Sequence, residues 1–211
     1  MRTRTRSVAL VLFGLLTAPV LLAGCGGGTA HHGSAAPTGS AASSSVEQTA
    51  AAGTAAEDAT GAPAFSANTD PDTADPSSGA SVTVRDIRLS RQDGFDRVVF
   101  DVGGAGTPGW NVRYVDAASS QGSGKAIDVA GSAVLQVSIT GAGYPYDTGV
   151  PEYSAHGPLT SGDTKVVTEV VFDATFEGTT TSFVGARTKA AFRVYLLQNP
   201  TRVVLEVADP S

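Results

Sequence analysis

The chain has one cysteine and few cations, and both shortages exclude classes of function. Cys25 is the only cysteine among 211 residues, which excludes an intramolecular disulfide and a cysteine-based metal site. The chain carries 14 Lys and Arg against 20 Asp and Glu, a formal net charge of −6. Because phosphate binding needs clustered cations, this balance argues against nucleic acid as a partner.

The cysteine closes an N-terminal leader. Residues 1–6 contain three arginines, and residues 8–22 are almost wholly apolar. A basic start, a short apolar run and small residues before a cut site are typical of a secretory signal. Residues 22–25 (LAGC) resemble the bacterial lipobox, which implies that residues 1–24 are a lipoprotein signal peptide and that Cys25 carries lipid, including palmitate. The alternatives are an ordinary signal peptide with an incidental cysteine, or an uncleaved anchor.

Residues 25–81 differ in composition from everything that follows them. After the cysteine they consist mainly of Gly, Ala, Ser, Thr, Pro, Asp and Glu, with Val46 and Phe65 as the only large apolar side chains. Such a segment buries too little apolar surface to offset the entropy of the chain. We therefore expect a disordered linker, with a root-mean-square reach of roughly 40 Å as a flexible coil.

Residues 82–209 carry the pattern of a folded domain. In residues 97–102, Val98, Phe100 and Val102 fall on one face of a strand, because side chains alternate with a period of two. Similar runs occupy four later segments, residues 133–139, 165–176, 191–197 and 202–207, and in the second of these the period of two places Phe172 and Phe176 on one face. Further strands are expected near residues 82–90, 110–116, 125–130 and 181–187. About eight or nine short strands, joined by turns and without an amphipathic helix, predict an all-β sandwich.

Two details refine this pattern. A bulge near Arg85-Asp86 is needed to keep Val84 and Ile87 on the same face. Residues 97–102 (RVVFDV) and 202–207 (RVVLEV) share the order Arg-Val-Val-apolar-acid-Val. Either good strands simply look alike, or the sandwich is pseudo-symmetric and each half contributes one matching strand.

The closing stretch carries a family resemblance. Residues 192–209 (FRVYLLQNPTRVVLEVAD) resemble the end of AMIN domains, in which a short strand leads into Asn-Pro, then Arg-Val-Val and an acidic residue. Residues 87–89, 94–102 and 113–115 extend the similarity, and residues 82–209 resemble the AMIN-like domains of lipoproteins from high-GC Gram-positive bacteria. The resemblance implies a sandwich of two similar antiparallel sheets, an envelope location, and peptidoglycan binding as in the AMIN domains of amidases and secretins. No amidase or secretin segment follows here, so a catalytic partner is expected to be absent or separate.

The folded region shows no pattern typical of an enzyme. Its single histidine, His156, has neither a Gly-x-Ser-x-Gly elbow nor a second histidine at zinc-ligand spacing. Asp93 and Asp96 flank Gly94 and are expected to shape a hairpin turn. Four further acidic residues are expected to lie in strands as outward-facing charges at a period of two: Asp101, Glu169, Asp173 and Glu206. We predict no catalytic residue, no metal site and no cofactor.

The candidate binding site is the Gly- and Pro-rich loop of residues 140–164. It contains three of the five tyrosines, Tyr144, Tyr146 and Tyr153. Long loops inside compact domains are usually functional or disordered, and tyrosine combines a flat apolar face with a hydrogen-bonding hydroxyl. These rings suit stacking against a sugar or a peptide. The alternative is that they pin the loop to the sandwich, and Trp110 is likewise expected in the core.

The sequence therefore predicts a lipoprotein anchored through Cys25 at the extracytoplasmic face of the cell membrane. Its AMIN-like domain is expected to be a non-enzymatic binding module for peptidoglycan or another cell-wall glycan. The first alternative is a protein-interaction adaptor that positions an envelope enzyme or transporter through a sheet edge. A small envelope hydrolase is the least favoured alternative.

Overall fold

A computed structural model describes residues 66–154 and 156–210 of the chain. All of the described residues belong to one compact unit. Cys25, the predicted leader and most of the predicted linker lie outside the described residues. Among the helices of the described part, none is long and apolar enough to span a membrane.

The described residues form an almost purely β structure. Its elements follow in the order β1 (Asp72–Ala74), β2 (Ser81–Gln92), β3 (Phe95–Ala105), β4 (Gly109–Val115), β5 (Ala133–Thr140), α1 (Pro145–Thr148), β6 (Val167–Phe176), β7 (Thr179–Ala186), β8 (Phe192–Leu197) and β9 (Arg202–Ala208). Nine strands and one helix of four residues confirm the predicted all-β class.

The strands form two antiparallel sheets that pack face to face. The five-stranded sheet has the order β1-β4-β5-β7-β6, and the four-stranded sheet has the order β2-β3-β9-β8. Val98 and Phe100 of one sheet join Leu135 and Val137 of the other in a single apolar cluster. All four side chains are at most 1 % exposed, and the predicted sandwich of two sheets is confirmed.

The predicted strand over residues 125–130 is wrong. Within residues 116–131 the only strand-like pairing is an isolated bridge between Ser119 and Ala126. This segment instead lies against the five-stranded sheet, where the Thr181 hydroxyl donates to the Gln121 side-chain oxygen over 3.1 Å. The Ala130 carbonyl approaches Gly185 so closely that a Cβ at this position would clash with it. The segment is therefore held by side-chain hydrogen bonds and close backbone approach rather than by strand pairing.

Part of the predicted linker is structured. Asn68 and Phe192 exchange two backbone hydrogen bonds of 3.2 and 2.7 Å, and β1 pairs with β4. The Asp72 carboxylate accepts from Trp110 Nε1 over 2.9 Å and from the Val194 backbone N–H over 3.0 Å. Asp72 thus joins an edge of each sheet. Apolar composition gave no sign of this, because the segment contributes hydrogen bonds and little apolar area.

The predicted bulge is confirmed, and a second one corrects a prediction. The β2–β3 register shifts between Val84 and Asp86, which leaves Val84 and Ile87 together in the core. The β6–β7 register shifts between Phe172 and Ala174. Because that extra residue reverses the alternation, Phe176 leaves the core face on which the period of two placed it, and its exposed fraction is 38 %.

The two Arg-Val-Val segments are neighbouring strands of one sheet, rather than one strand from each half of the sandwich. Strands β3 and β9 pair antiparallel, with Arg97 opposite Glu206, Val99 opposite Val204 and Asp101 opposite Arg202. A local two-fold axis therefore passes between the equivalent residues Val99 and Val204. The arginine of each segment faces the acid of the other, so the repeated order makes the pair of strands self-complementary in charge.

Two carboxylates have different surroundings from those expected. Asp96 is fully buried, and one of its oxygens accepts the backbone N–H groups of residues 165–167 over 2.6–2.9 Å. It therefore ties the four-stranded sheet to the start of β6, while Gly94 alone supplies the left-handed turn residue at φ 81°. Glu206 faces outward from the sandwich as predicted, but it is 0 % exposed and is held by arginines.

Candidate functional site

The predicted loop is fastened along the free edge of β2. The Val82 N–H donates to the Gly141 carbonyl over 3.1 Å, and the Gly143 N–H donates back to the Val82 carbonyl over 2.8 Å. Further along, the Tyr153 N–H donates to the Val84 carbonyl over 2.8 Å. Residues 141–153 thus satisfy backbone groups of an edge strand that would otherwise face solvent.

Helix α1 stands between these attachments. Pro145 occupies its first turn, and Gly149 ends it in the left-handed region at φ 68°, with its N–H donating to the Pro145 carbonyl over 2.9 Å. The Thr148 hydroxyl shares a hydrogen bond of 2.7 Å with the hydroxyl of Thr83, a fully buried residue of β2. The short helix is therefore fixed to the sheet and presents its neighbouring side chains from a defined position.

The structure separates the three candidate tyrosines into a pair and a single ring. Tyr144 and Tyr146 stack with centroids 5.4 Å apart and planes inclined by 12°. Tyr146 is 81 % exposed. Tyr153 packs against the core, where its ring meets Phe172 edge-on at 5.6 Å. Tyr153 therefore fastens the loop to the core, whereas Tyr146 presents its ring to solvent.

The stacked pair, Tyr144 and Tyr146, forms what we call the tyrosine platform. Tyr144 lies beneath Tyr146 and supports it, so binding a ligand would order few additional torsions. Asp147 follows directly and is exposed, which places a hydrogen-bond acceptor beside an aromatic face. An apolar ring with polar groups at its rim is the arrangement that stacks on a sugar ring or a planar peptide group.

A second concave feature lies at the opposite end of β5 and was not predicted. It is a cleft of about 660 Å³ between residues 114–118, 126–129, 131–134 and Lys189. The Lys189 ammonium lies 5.2 Å from the centroid of the Tyr114 ring, and the Tyr114 hydroxyl donates to the Ala190 carbonyl over 2.7 Å. Burial raises the pKa of Tyr114. Small residues and backbone line most of the cleft, so no side-chain motif could have revealed it.

The other candidate functional residues do not come together in a site. His156 is exposed in the loop. Over residues 66–154 and 156–210, no group of three or more His, Cys, Asp or Glu could hold a metal ion. Trp110 is partly buried against the core, and its indole N–H donates a hydrogen bond to Asp72. The tyrosine platform is therefore the candidate site with a ring directed to solvent.

Comparison with known families identifies the fold described above. The family model of the AMIN-like domain matches residues 82–209. The chain belongs to the AMIN-like domain family. The AMIN-like match runs from the start of β2 to the end of β9, so it includes α1, the tyrosine platform, the cleft and both Arg-Val-Val strands. Neither a curated protein nor a solved structure matches the chain. Membership indicates a cell-wall-associated binding module.

Proposed function

We propose that this chain is an envelope lipoprotein whose AMIN-like domain binds cell-wall glycan through the tyrosine platform. The observation that carries the proposal is the 81 % exposed ring of Tyr146 on a fixed support. A large aromatic ring that remains in water, although Tyr144 beneath it is partly buried, is available for stacking. The proposal assigns the domain no catalytic step.

Binding to a single glycan unit is expected to be weak. One ring offers little apolar area, and the cost of ordering the glycan offsets much of the gain. A long polymer supplies repeated sites, and an anchor at Cys25 would confine many copies of the domain to one surface. Effective concentration then replaces contact energy. Retention should change little with salt, because an acidic protein releases few counterions and stacking dominates.

The test is co-sedimentation of the chain without residues 1–25 with purified cell-wall sacculi. The double variant Tyr144→Ala/Tyr146→Ala should lose most of the retained protein. Phe176→Ala is the matched control, because Phe176 is an exposed aromatic side chain outside the loop. If the sacculi retain the two variants equally, the tyrosine platform is not the binding site. If they do not retain the unchanged protein, the domain does not bind cell-wall glycan.

The anchor is tested separately in cells. Cys25→Ser should abolish incorporation of labelled palmitate and leave the signal peptide uncleaved, because lipid attachment to the cysteine sulfur precedes the cut in the lipoprotein pathway that the lipobox implies. A Cys25→Ser variant that still incorporates label would contradict a lipid at this position, whatever the result with sacculi.

The adaptor alternative needs a sheet edge with free backbone groups, and the edges of both sheets are largely covered. Residues 141–153 cover the edge of β2, and Asn68 pairs with the edge of β8. Leu159 exchanges two backbone bonds of 2.8 Å with Val170 of β6, whose register shifts twice. Within the described residues, β1 is the remaining edge and has three residues. A partner strand would find little free backbone here.

A further inference from the structure

The outer side of the four-stranded sheet, which faces away from the five-stranded sheet, carries an ordered grid of side chains. The strand registers place three rows across β3, β9 and β8, namely Arg97, Glu206 and Arg193, then Val99, Val204 and Tyr195, then Asp101, Arg202 and Leu197. The apolar members form a cluster of their own, distinct from the main core. We call this surface the outer grid.

The first row of the outer grid is a hydrogen-bonded ion network. Arg97 donates to one oxygen of Glu206 from Nε over 2.9 Å and from Nη2 over 2.7 Å. Arg193 donates to the other oxygen over 2.6 and 2.5 Å, and the Tyr195 hydroxyl adds a bond of 2.9 Å. These side chains are hydrogen-bonded to one another, but such bonds do not by themselves exclude solvent from the row.

The outer grid is nevertheless buried. The side chains of Arg97 and Arg193 are 5 % and 9 % exposed, and that of Glu206 is 0 % exposed. The rings of Phe95 and Tyr195 lie against the guanidinium groups of Arg97 and Arg193, 5.4 and 5.2 Å from their centroids. A ring covers only one face of a planar guanidinium, so the other face needs a cover from outside the sheet. Helix α1 contacts β2 and β3, which leaves the β9–β8 side of the grid to be covered by another part of the chain.

The chain that precedes the described residues is in position to supply this cover. Asn68 is paired with Phe192 at the outer edge of β8, so residue 66 lies beside the strand that carries Arg193 and Tyr195. Fifteen residues, 51–65, reach up to about 50 Å when extended, whereas four strands are roughly 15–20 Å wide.

The composition of residues 51–65 complements the outer grid. The segment reads AAGTAAEDATGAPAF, with small residues that allow close approach, one large apolar side chain at Phe65, and an acidic pair at Glu57 and Asp58. The outward side chains of the sheet include four arginines and three carboxylates, namely Arg88, Arg97, Arg193 and Arg202 with Asp86, Asp101 and Glu206. An excess of positive charge thus meets an acidic segment.

We propose that residues 51–65 dock on the outer grid, with Phe65 as the apolar anchor and Glu57 and Asp58 facing the arginines. The predicted linker then has two parts with different roles. Residues 26–50 act as the tether, and residues 51–65 complete the domain. A free tether of 25 residues has a root-mean-square reach of about 25–30 Å, so the domain would stay nearer the membrane than a linker ending at residue 81 allows.

The experiment compares two deletions in the chain that lacks residues 1–25. Removal of residues 26–50 should leave the melting temperature unchanged. Removal of residues 26–65 should lower it by about 3–6 °C and expose apolar surface that binds the dye ANS. A synthetic peptide of residues 51–65 should restore the melting temperature of the shorter protein. Equal melting temperatures and equal dye binding for the two deletions would overturn the proposal.

Two further measurements keep the proposal testable if the shorter protein folds poorly. In the chain without residues 1–25, Phe65→Ala should lower the melting temperature, whereas Val46→Ala, the matched change in the tether, should not. Hydrogen exchange should be slower in residues 51–65 than in residues 26–50, and equally fast exchange in both would overturn the docking. A stable dimer of the chain with residues 26–65 intact that Tyr195→Ala dissociates would also overturn it, because a second copy would then cover the outer grid.

Discussion

The two faces of the four-stranded sheet are both buried, but they are buried by different chemistry. The inner face presents Val98, Phe100 and Leu205, which are 0 % exposed and contact the opposite sheet. The outer grid places Glu206, also 0 % exposed, between two arginines in front of an apolar row. The inner face is stabilised by removing apolar area from water. The outer grid is stabilised only while each charge keeps its partner.

The largest effect is expected on the inner face. Phe100→Ala removes a ring that is 0 % exposed in the centre of β3, and the cavity left between the two sheets cannot collapse freely. The free energy of unfolding should fall by about 4 kcal/mol, as measured by urea denaturation. Val115→Ala is the control, because Val115 is only partly buried at the end of β4. A loss below about 1 kcal/mol for Phe100→Ala would show that the ring is not enclosed.

The next effect tests whether the outer grid depends on pairing. Glu206→Gln keeps the shape of the side chain but leaves Arg97 and Arg193 as buried cations without their carboxylate, which should cost about 3 kcal/mol. The triple variant Arg97→Met/Glu206→Leu/Arg193→Met removes all three charges and should recover most of that loss. If the triple variant is less stable than Glu206→Gln, the charged groups stabilise the fold beyond satisfying one another. That result would contradict the proposed difference between the two faces.

The same contrast explains what the sequence could and could not predict. Alternation placed Val98, Phe100 and Val102 on one face, and it required the bulge beside Val84, because both are local consequences of a period of two. The burial of Glu206 is not local, since its partner Arg97 lies 109 positions away. The repeated Arg-Val-Val order contained the information. Its meaning emerged only when antiparallel pairing set each arginine against the acid of the other segment.

The candidate site shows the same limit on a smaller scale. Loop length and tyrosine content selected residues 140–164, and the AMIN-like resemblance supplied a ligand class. Neither could separate Tyr146 from Tyr153, because the difference depends on which ring meets Phe172 of another strand. Asp72 was assigned to the linker for a related reason. Asp72 acts through hydrogen bonds to Trp110 and Val194, and such bonds cannot be predicted from composition.

A smaller effect comes from the tyrosine of the outer grid. Burial and the hydrogen bond to Glu206 raise the pKa of Tyr195 to about 12 from an ordinary value of 10.0. Between these values the unfolded chain binds fewer protons than the folded one, so the free energy of unfolding should fall as pH rises from about 10 to 12. Below pH 10 this contribution is complete.

Tyr195→Phe should therefore cost about 1 kcal/mol at neutral pH, through loss of the bond to Glu206, and should make the alkaline decline shallower. The measurement is urea denaturation at a series of pH values between 8 and 12. Tyr144→Phe is the control, because Tyr144 lies at the start of α1, outside the outer grid. An unchanged slope in Tyr195→Phe would mean that the alkaline decline originates elsewhere, for instance at Tyr114, whose pKa is also raised.

The smallest effect on stability is expected at the tyrosine platform, and it is the one that separates a binding ring from a structural ring. Tyr146→Ala removes a side chain that is 81 % exposed, so the free energy of unfolding should change by less than about 0.5 kcal/mol. Tyr153→Ala, made in the same loop, removes a ring packed on Phe172 and should cost about 3 kcal/mol. A ring that contributes little to folding yet remains in a fixed position is free to serve a ligand. If Tyr146→Ala destabilised the domain as much as Tyr153→Ala, both rings would pin the loop, and the glycan contact would have to be sought at the cleft beside Lys189.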